Sequence, residues 1–243
     1  MFKTSAIILR ATKYGETSLV VSAFTELFGI QTYMVNGARS VKNKGAKAYL
    51  YQPASLVELV VYHNERSTLQ RIKEANIKQL CPNIFSRVKK NSIALFMMEL
   101  LQKLLKQPEP NPDLFYFCED MLLQLEAANE AVSANIPLFF ALQLSHFFGF
   151  KIDDNFSGTN FILDLQEGNY VSQRPTHGHF LEGEYASITA DILKMLLPAE
   201  LSQLKINQAI RRELLLKYML HYALQHNDFG QMKTIPIMQE VLS

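Results

Sequence analysis

Across residues 1–80 no stretch repeats its apolar residues at helical spacing. Instead, five short runs rich in β-branched and aromatic residues follow one another. "SAIILRA" alternates weakly. "TSLVVSAFTE" and "IQTYMVNGA" flank the turn "LFG", where Gly29 is free to take positive φ. "SLVELVVYH" (55–63) puts Val57, Leu59 and Val61 on one face and Leu56, Glu58, Val60 and Tyr62 on the other, and "TLQRIKEANI" (68–77) alternates in the same way. Five short strands without a helix predict a small closed sheet. A five-stranded Greek-key barrel of the OB type fits that size, with an SH3-like barrel as the structural competitor.

The pattern changes at "LCPNIF", where Pro82 biases the chain out of regular pairing. Ala94, Met97, Met98, Leu101, Leu104 and Leu105 then recur at helical spacing. "QPEPNPD" is a loop, and residues 115–125 read as a second helix. A third helix, apolar nearly all round, is expected to start at an Asn135 cap with Pro137 in its first turn and to end near Gly149. "SGTNFILDLQEGNYVSQ" reads as a hairpin and "RPTHGHFLEGEYAS" as a polar loop. Thr189 is placed as the cap of a short helix, Asn207 opens a long amphipathic one, and "IPIMQEVL" closes the chain as a last short helix. The expected class is α+β multidomain. An OB-type barrel at 1–80 precedes a mainly α-helical domain at 81–243, which carries a β-hairpin insertion at about 151–188.

Several function classes fall away. No apolar run reaches the roughly 18 uncharged residues of a membrane helix. The greasiest stretch, "IPLFFALQLSHFFGF", is interrupted by Pro137, Gln143, Ser145 and His146, and His146 is expected to be a satisfied core histidine. The first residues run from a short apolar core into Arg10 and Lys13, unlike a secretory signal. Cys81 and Cys118 have no metal-ligand spacing and form no disulfide framework, which fits a reducing cytoplasm. There is no phosphate-cradling glycine motif, Ser145–His146 lacks an oriented acid, and Glu119–Asp120 and Asp153–Asp154 are read as surface pairs. An enzyme and a cofactor are therefore not expected.

Charge points elsewhere. Residues 1–80 hold 11 Lys or Arg against 5 Asp or Glu, and residues 81–243 hold 13 against 18, so the halves differ in sign. "NGARSVKNKGAKAYLYQP" concentrates Arg39, Lys42, Lys44 and Lys47 ahead of Tyr49 and Tyr51, with no acidic residue. Cations for phosphates and flat rings for bases are the chemistry of sequence-tolerant single-strand binding. Read as a strand, Tyr49 and Tyr51 share a face, and Arg10 and Lys13 extend the basic surface. The plain reading is a solvated basic loop with packing tyrosines.

A resemblance adds to this. Tyr14, Glu16 and Ser18, then Phe24, Thr25, Glu26 and Gly29, then Gly37, Ala38 and Arg39 stand in an order and spacing that resemble the N-terminal pattern of the RecO family of bacterial DNA repair and recombination mediators. "LVELVVYHNERSTLQRIKEANI" resembles that family's next two strands, and "LHYALQHNDFGQMKTIPIMQEVL" its closing segment. The resemblance implies an OB domain followed by a helical domain. It implies binding of single- and double-stranded DNA and annealing of complementary strands. It also implies partnership with the RecR protein and with the C-terminal tail of the single-stranded-DNA-binding protein, so that the strand-exchange recombinase is loaded. Many family members carry a four-cysteine zinc module in the helical domain. Residues 151–187 contain no cysteine, and His177 and His179, with Asp153, Asp154, Glu182 and Glu184 nearby, do not make an evident tetrahedral set, so no metal is expected. The helical domain of the family is similar to a docking platform for an apolar, acidic tail. Met97 and Leu101 beside Lys103 and Lys106 are the candidate groove here, although such a stripe also reads as core. A second class of function stays open at this point: an adaptor whose basic barrel loop meets an acidic protein surface and not DNA.

Overall fold

The computed structural model describes residues 1–39 and 47–242. Packing divides the chain into two compact units, Met1–Glu126 and Ala127–Ser243.

The first unit is built on a closed five-stranded barrel in the order β1-β2-β3-β5-β4. Its strands are β1 (Phe2–Tyr14), β2 (Ser18–Thr25), β3 (Gly29–Val35), β4 (Leu56–Tyr62) and β5 (Gln70–Gln79). β1 pairs with both β2 and β4, and its register against β2 shifts between Ile8 and Arg10, a bulge that bends the strand around the barrel. Alternation decides the inside: Ala6, Ile8, Val21, Ala23, Tyr33, Val57, Leu59 and Val61 fill the interior. Burial pushes the Tyr33 phenol well above its usual range.

Three helices, α1 (Pro82–Ser86), α2 (Val88–Leu104) and α3 (Pro112–Ala127), follow, and α2 and α3 pack on the barrel. Phe24 of β2 lies 5.6 Å from Phe115 of α3, and the Tyr116 hydroxyl donates to Glu26. This gives "FTE" its role. Phe24 packs the helix and Glu26 receives its tyrosine, while the Thr25 hydroxyl donates to Gly29 O at 2.9 Å and accepts from Phe28 N at 3.1 Å to close the turn. The motif builds the seat for α3 and the loop before it.

Glu126 closes the unit. Its carboxylate accepts from Asn83 N at 2.9 Å and Ile84 N at 2.8 Å, capping α1, which has no capping side chain of its own. The buried Lys90 ammonium donates to Glu126 O at 2.6 Å. Burial lowers the lysine's pKa, and the Glu126 charge opposes that shift. Glu126→Ala is expected to cost about 1–3 kcal/mol of unfolding free energy, because two amide donors lose their acceptor. Glu126→Gln, which keeps one carbonyl oxygen, is expected to recover part of that in denaturant titration.

The second unit is organised around α4 (Glu130–Phe147), with a three-stranded sheet of β6 (Ile162–Asp164), β7 (Asn169–Val171) and β8 (Phe180–Leu181) in the order β7-β6-β8. Helices α5 (Glu184–Lys194), α6 (Gln208–Gln225) and α7 (Thr234–Val241) complete it. α6 opens at Asn207 as expected, and the Asn207 side chain caps it by accepting from Ile210 N. Other expectations are corrected. Asn129, not Asn135, caps α4 by accepting from Val132 N. Pro137 therefore sits inside the helix, where it leaves the Ser133 carbonyl without its helical donor. The buried Asn135 amide instead donates to Ala131 O, Leu201 O and Leu204 O, binding α4 to the turn at Pro198–Gln203. Thr189 lies inside α5 and shares a hydrogen bond with the Tyr218 hydroxyl, and His146 is exposed at the end of α4.

The buried histidine is His221 of α6. Its Nδ1 lies 2.6 Å from Leu165 O and its Nε2 2.9 Å from Phe150 O. With Asn155, whose amide donates to Tyr170 O and accepts from Tyr170 N, it holds the cysteine-free hairpin region in place. His177 Nε2 is 3.3 Å from Asp164 Oδ2, and His177 and His179 stack at 5.8 Å. Among the described residues no three His, Cys, Asp or Glu side chains converge as metal ligands. No helix of the described residues is long and apolar enough to cross a membrane.

Candidate nucleic-acid interface

The expected stacking pair does not form. Tyr49 and Tyr51 belong to a 3-10 turn, Lys47–Tyr51, where residues two apart point in different directions. Tyr49 is 57% exposed, whereas Tyr51 is 3% exposed and part of the barrel core, its hydroxyl pushed up to about 12 by burial. The apolar spacing around residue 50 serves the core. Lys42 and Lys44 lie outside the described residues, and Lys47 opens the turn. Arg39 is half-buried, and its backbone N–H donates to Thr17 O at 3.0 Å, which brings the start of the basic stretch against the β1–β2 turn.

The barrel register supplies a surface the sequence did not display. Directly paired residues on adjacent strands face the same side. Tyr62 of β4 pairs with Arg71 of β5, Arg71 with Met34 of β3, Met34 with Val20 of β2, and Val20 with Thr12 of β1. None of the five is buried, so one row crosses all five strands on the outer face. A parallel row holds Arg10, Ser22 and Thr32, and a third holds Tyr14 and Ser18, whose hydroxyl donates to Asn36 Oδ1 at 3.3 Å. These rows contain no carboxylate. Lys13 is exposed at the rim on the same hairpin. Arg10, Lys13, Arg39 and Arg71 form no ion pair with a described carboxylate, so their charge is available to a ligand. The result is an outer sheet face on which Thr12, Val20, Ser22 and Thr32 stand beside Arg10 and Arg71 and the exposed rings of Tyr14 and Tyr62.

The family models match in two consecutive segments, recombination protein O N terminal at residues 1–81 and recombination protein O C terminal at residues 86–234. The chain belongs to the recombination protein O family. Curated relatives agree along the whole length. It is 30% identical over 244 residues to the DNA repair protein RecO of Flavobacterium psychrophilum, covering 99% of each chain. It is 30% identical to that of Phocaeicola vulgatus over 242 residues and 28% identical to that of Azobacteroides pseudotrichonymphae over 241, again covering 99% of each chain.

The expected peptide groove on α2 is corrected. Met97 and Leu101 have no exposed surface and pack inside the first unit, while Lys103 is half-buried and Lys106 exposed. An apolar opening exists instead in the second unit, between α4, α6 and α7. Pro137, Leu138, Leu215 and Met238 line it, with Arg211, Arg212 and Gln239 around them. Gln239 Nε2 is buried with no hydrogen-bond partner among the described residues. Burial holds the Arg211 guanidinium below its ordinary range, and Arg211 Nη1 donates to Ile206 O.

Proposed function

We propose that this protein is a non-enzymatic DNA repair and recombination mediator. It binds single- and double-stranded DNA on the outer barrel face, anneals complementary strands, and acts with the RecR protein to load the recombinase onto DNA coated by single-stranded-DNA-binding protein. The observation that carries the reading is the acid-free row across five strands with Arg10 and Arg71 free of described carboxylates, in a chain whose relatives are named DNA repair proteins. Backbone phosphates meet Arg10, Lys13, Arg39 and Arg71, with Lys42, Lys44 and Lys47 as further cations of the same stretch. Tyr14, Tyr49 and Tyr62 give bases open ring faces.

Fluorescence anisotropy of oligo-dT across a salt series tests it. Wild type should bind with an affinity that falls steeply with log salt. Arg10→Ala/Arg39→Ala/Arg71→Ala should weaken binding and reduce the slope by about 2, at roughly 0.7 for each phosphate no longer neutralised. Absence of wild-type binding at low salt would discard DNA as the ligand and favour an acidic protein surface.

The tail of the single-stranded-DNA-binding protein is assigned to the α4–α6–α7 opening, where an apolar floor lies beside Arg211, Arg212 and Gln239, whose Nε2 has no hydrogen-bond partner among the described residues. A fluorescent acidic peptide ending in an apolar residue should bind, and Arg212→Glu should weaken it at least tenfold, a change of about 1.4 kcal/mol. Equal binding by wild type and variant would move the tail elsewhere.

A further inference from the structure

β3 and β5 close the barrel with only two paired positions, Tyr33 with Gln70 and Met34 with Arg71. Beyond Met34 the strands part, and a cleft of about 450 Å³ opens between Val35–Ala38 and Ile72–Ala75. We propose that this cleft is a nucleobase subsite: one base of a bound single strand leaves the outer face and enters between β3 and β5, with its phosphate held at Arg71. The inference rests on the DNA-binding reading above and adds a site to it.

The shape and chemistry point to a base. The cleft falls within the roughly 300–1,000 Å³ of small-molecule pockets. Its lining is mixed, with Val35 and Ile72 supplying apolar surface and Asn36 and Glu74 supplying polar atoms. A flat heterocycle carries the same two kinds of surface, apolar faces and a hydrogen-bonding edge. Asn36 Oδ1 already accepts from Ser18, which leaves the Asn36 Nδ2 group as a donor, and Glu74 supplies acceptors. Lys73 is engaged with Glu74 at 3.5 Å, whereas Arg71 is free of ion pairs with described carboxylates. The position argues for a base within a strand and against a free nucleotide. Met34 and Arg71 line the cleft and also belong to the row across the outer face. A strand lying along that row therefore reaches the cleft without changing its path, and the phosphate between its neighbours falls at the Arg71 guanidinium.

Two measurements decide it. The first compares oligo-dT of about 16 nucleotides, the upper site size of an OB fold, with an abasic oligomer of equal length. Ile72→Trp, whose indole fills the cleft, should weaken oligo-dT binding by about fivefold to a hundredfold, the worth of one stacked base, and leave the abasic oligomer unaffected. Equal loss for both oligomers would overturn the subsite. The second uses the wild-type chain and so survives a misfolded variant. Photocrosslinking of oligo-dT carrying 5-iododeoxyuridine should label Met34, which lines the cleft and is not buried. Labels confined to Tyr14, Tyr49 and Tyr62 would overturn the subsite while leaving DNA binding intact. No binding of either oligomer by wild type would remove the DNA reading and the subsite with it.

Discussion

Gly29→Ala is expected to lower the unfolding midpoint of the Met1–Glu126 unit by about 10 °C or more. Two independent causes meet at this position. The backbone sits at φ +62°, which costs a residue with a Cβ about 1–2 kcal/mol. The added Cβ would also lie 2.2 Å from Glu109 O and 2.6 Å from Glu109 C. Those are backbone atoms of the loop between α2 and α3, so no rotamer change relieves the clash, and forced overpacking costs about 1–3 kcal/mol. At roughly 4 °C per kcal/mol for a unit of this size, the two costs together give a shift of that order. Gly15→Ala is the internal control. It has φ +58° but nothing within 4 Å of the added methyl, so only the backbone cost applies. Cys81 and Cys118 supply a readout confined to this unit. Both are buried, with the Cys81 thiol pushed up to about 11 by burial and by Glu126, so pulsed alkylation reports the opening of Met1–Glu126 alone. Equal alkylation midpoints for Gly29→Ala and Gly15→Ala would show that the approach of Glu109 is not limiting.

His221→Ala is expected to destabilise the Ala127–Ser243 unit by about 3–5 kcal/mol. Whichever tautomer is present, at least one of Phe150 O and Leu165 O receives an imidazole N–H, and both carbonyls face a buried ring. Truncation leaves a buried carbonyl unpaired at about 1–3 kcal/mol and opens a cavity beside the Phe150 ring, 5.6 Å away, which adds a comparable cost. Gly168 is packed against the same imidazole, at 3.5 Å from Cε1 to the position of an added Cβ, so the destabilisation should spread into the β6–β7 turn. His221→Gln, which keeps one amide donor, should fall between wild type and alanine in thermal unfolding followed by calorimetry. If His221→Gln and His221→Ala were equally destabilised, packing and not hydrogen bonding would be the larger contribution.

The barrel was legible because its information is local. Period-two alternation in 55–63, the glycine at 29 and the break at Pro82 each depend on neighbours within a few residues. Tyr51 shows where that logic stops. Two tyrosines at even spacing share a face only on a strand, and the chain forms a 3-10 turn there because Leu50 and Tyr51 are drawn into the barrel core from outside the sheet. Asn135 fails for a related reason. Asn129 and Asn135 are both good caps by type, and the choice between them was made by the Leu201 and Leu204 carbonyls, which lie more than sixty residues away. The Met97–Leu101 stripe was ambiguous by periodicity alone, since a buried face and a docking face have the same spacing.

By itself the sequence determined a five-stranded barrel followed by helices, the sign of charge on each half, and membership of the recombination protein O family. All three are carried by residue type and short-range order. Tertiary structure alone decided which residues form a surface. Tyr62, Arg71, Met34, Val20 and Thr12 are far apart along the chain, and they stand in one row because hydrogen-bond register, a long-range property set by strand pairing around a closed barrel, places them there.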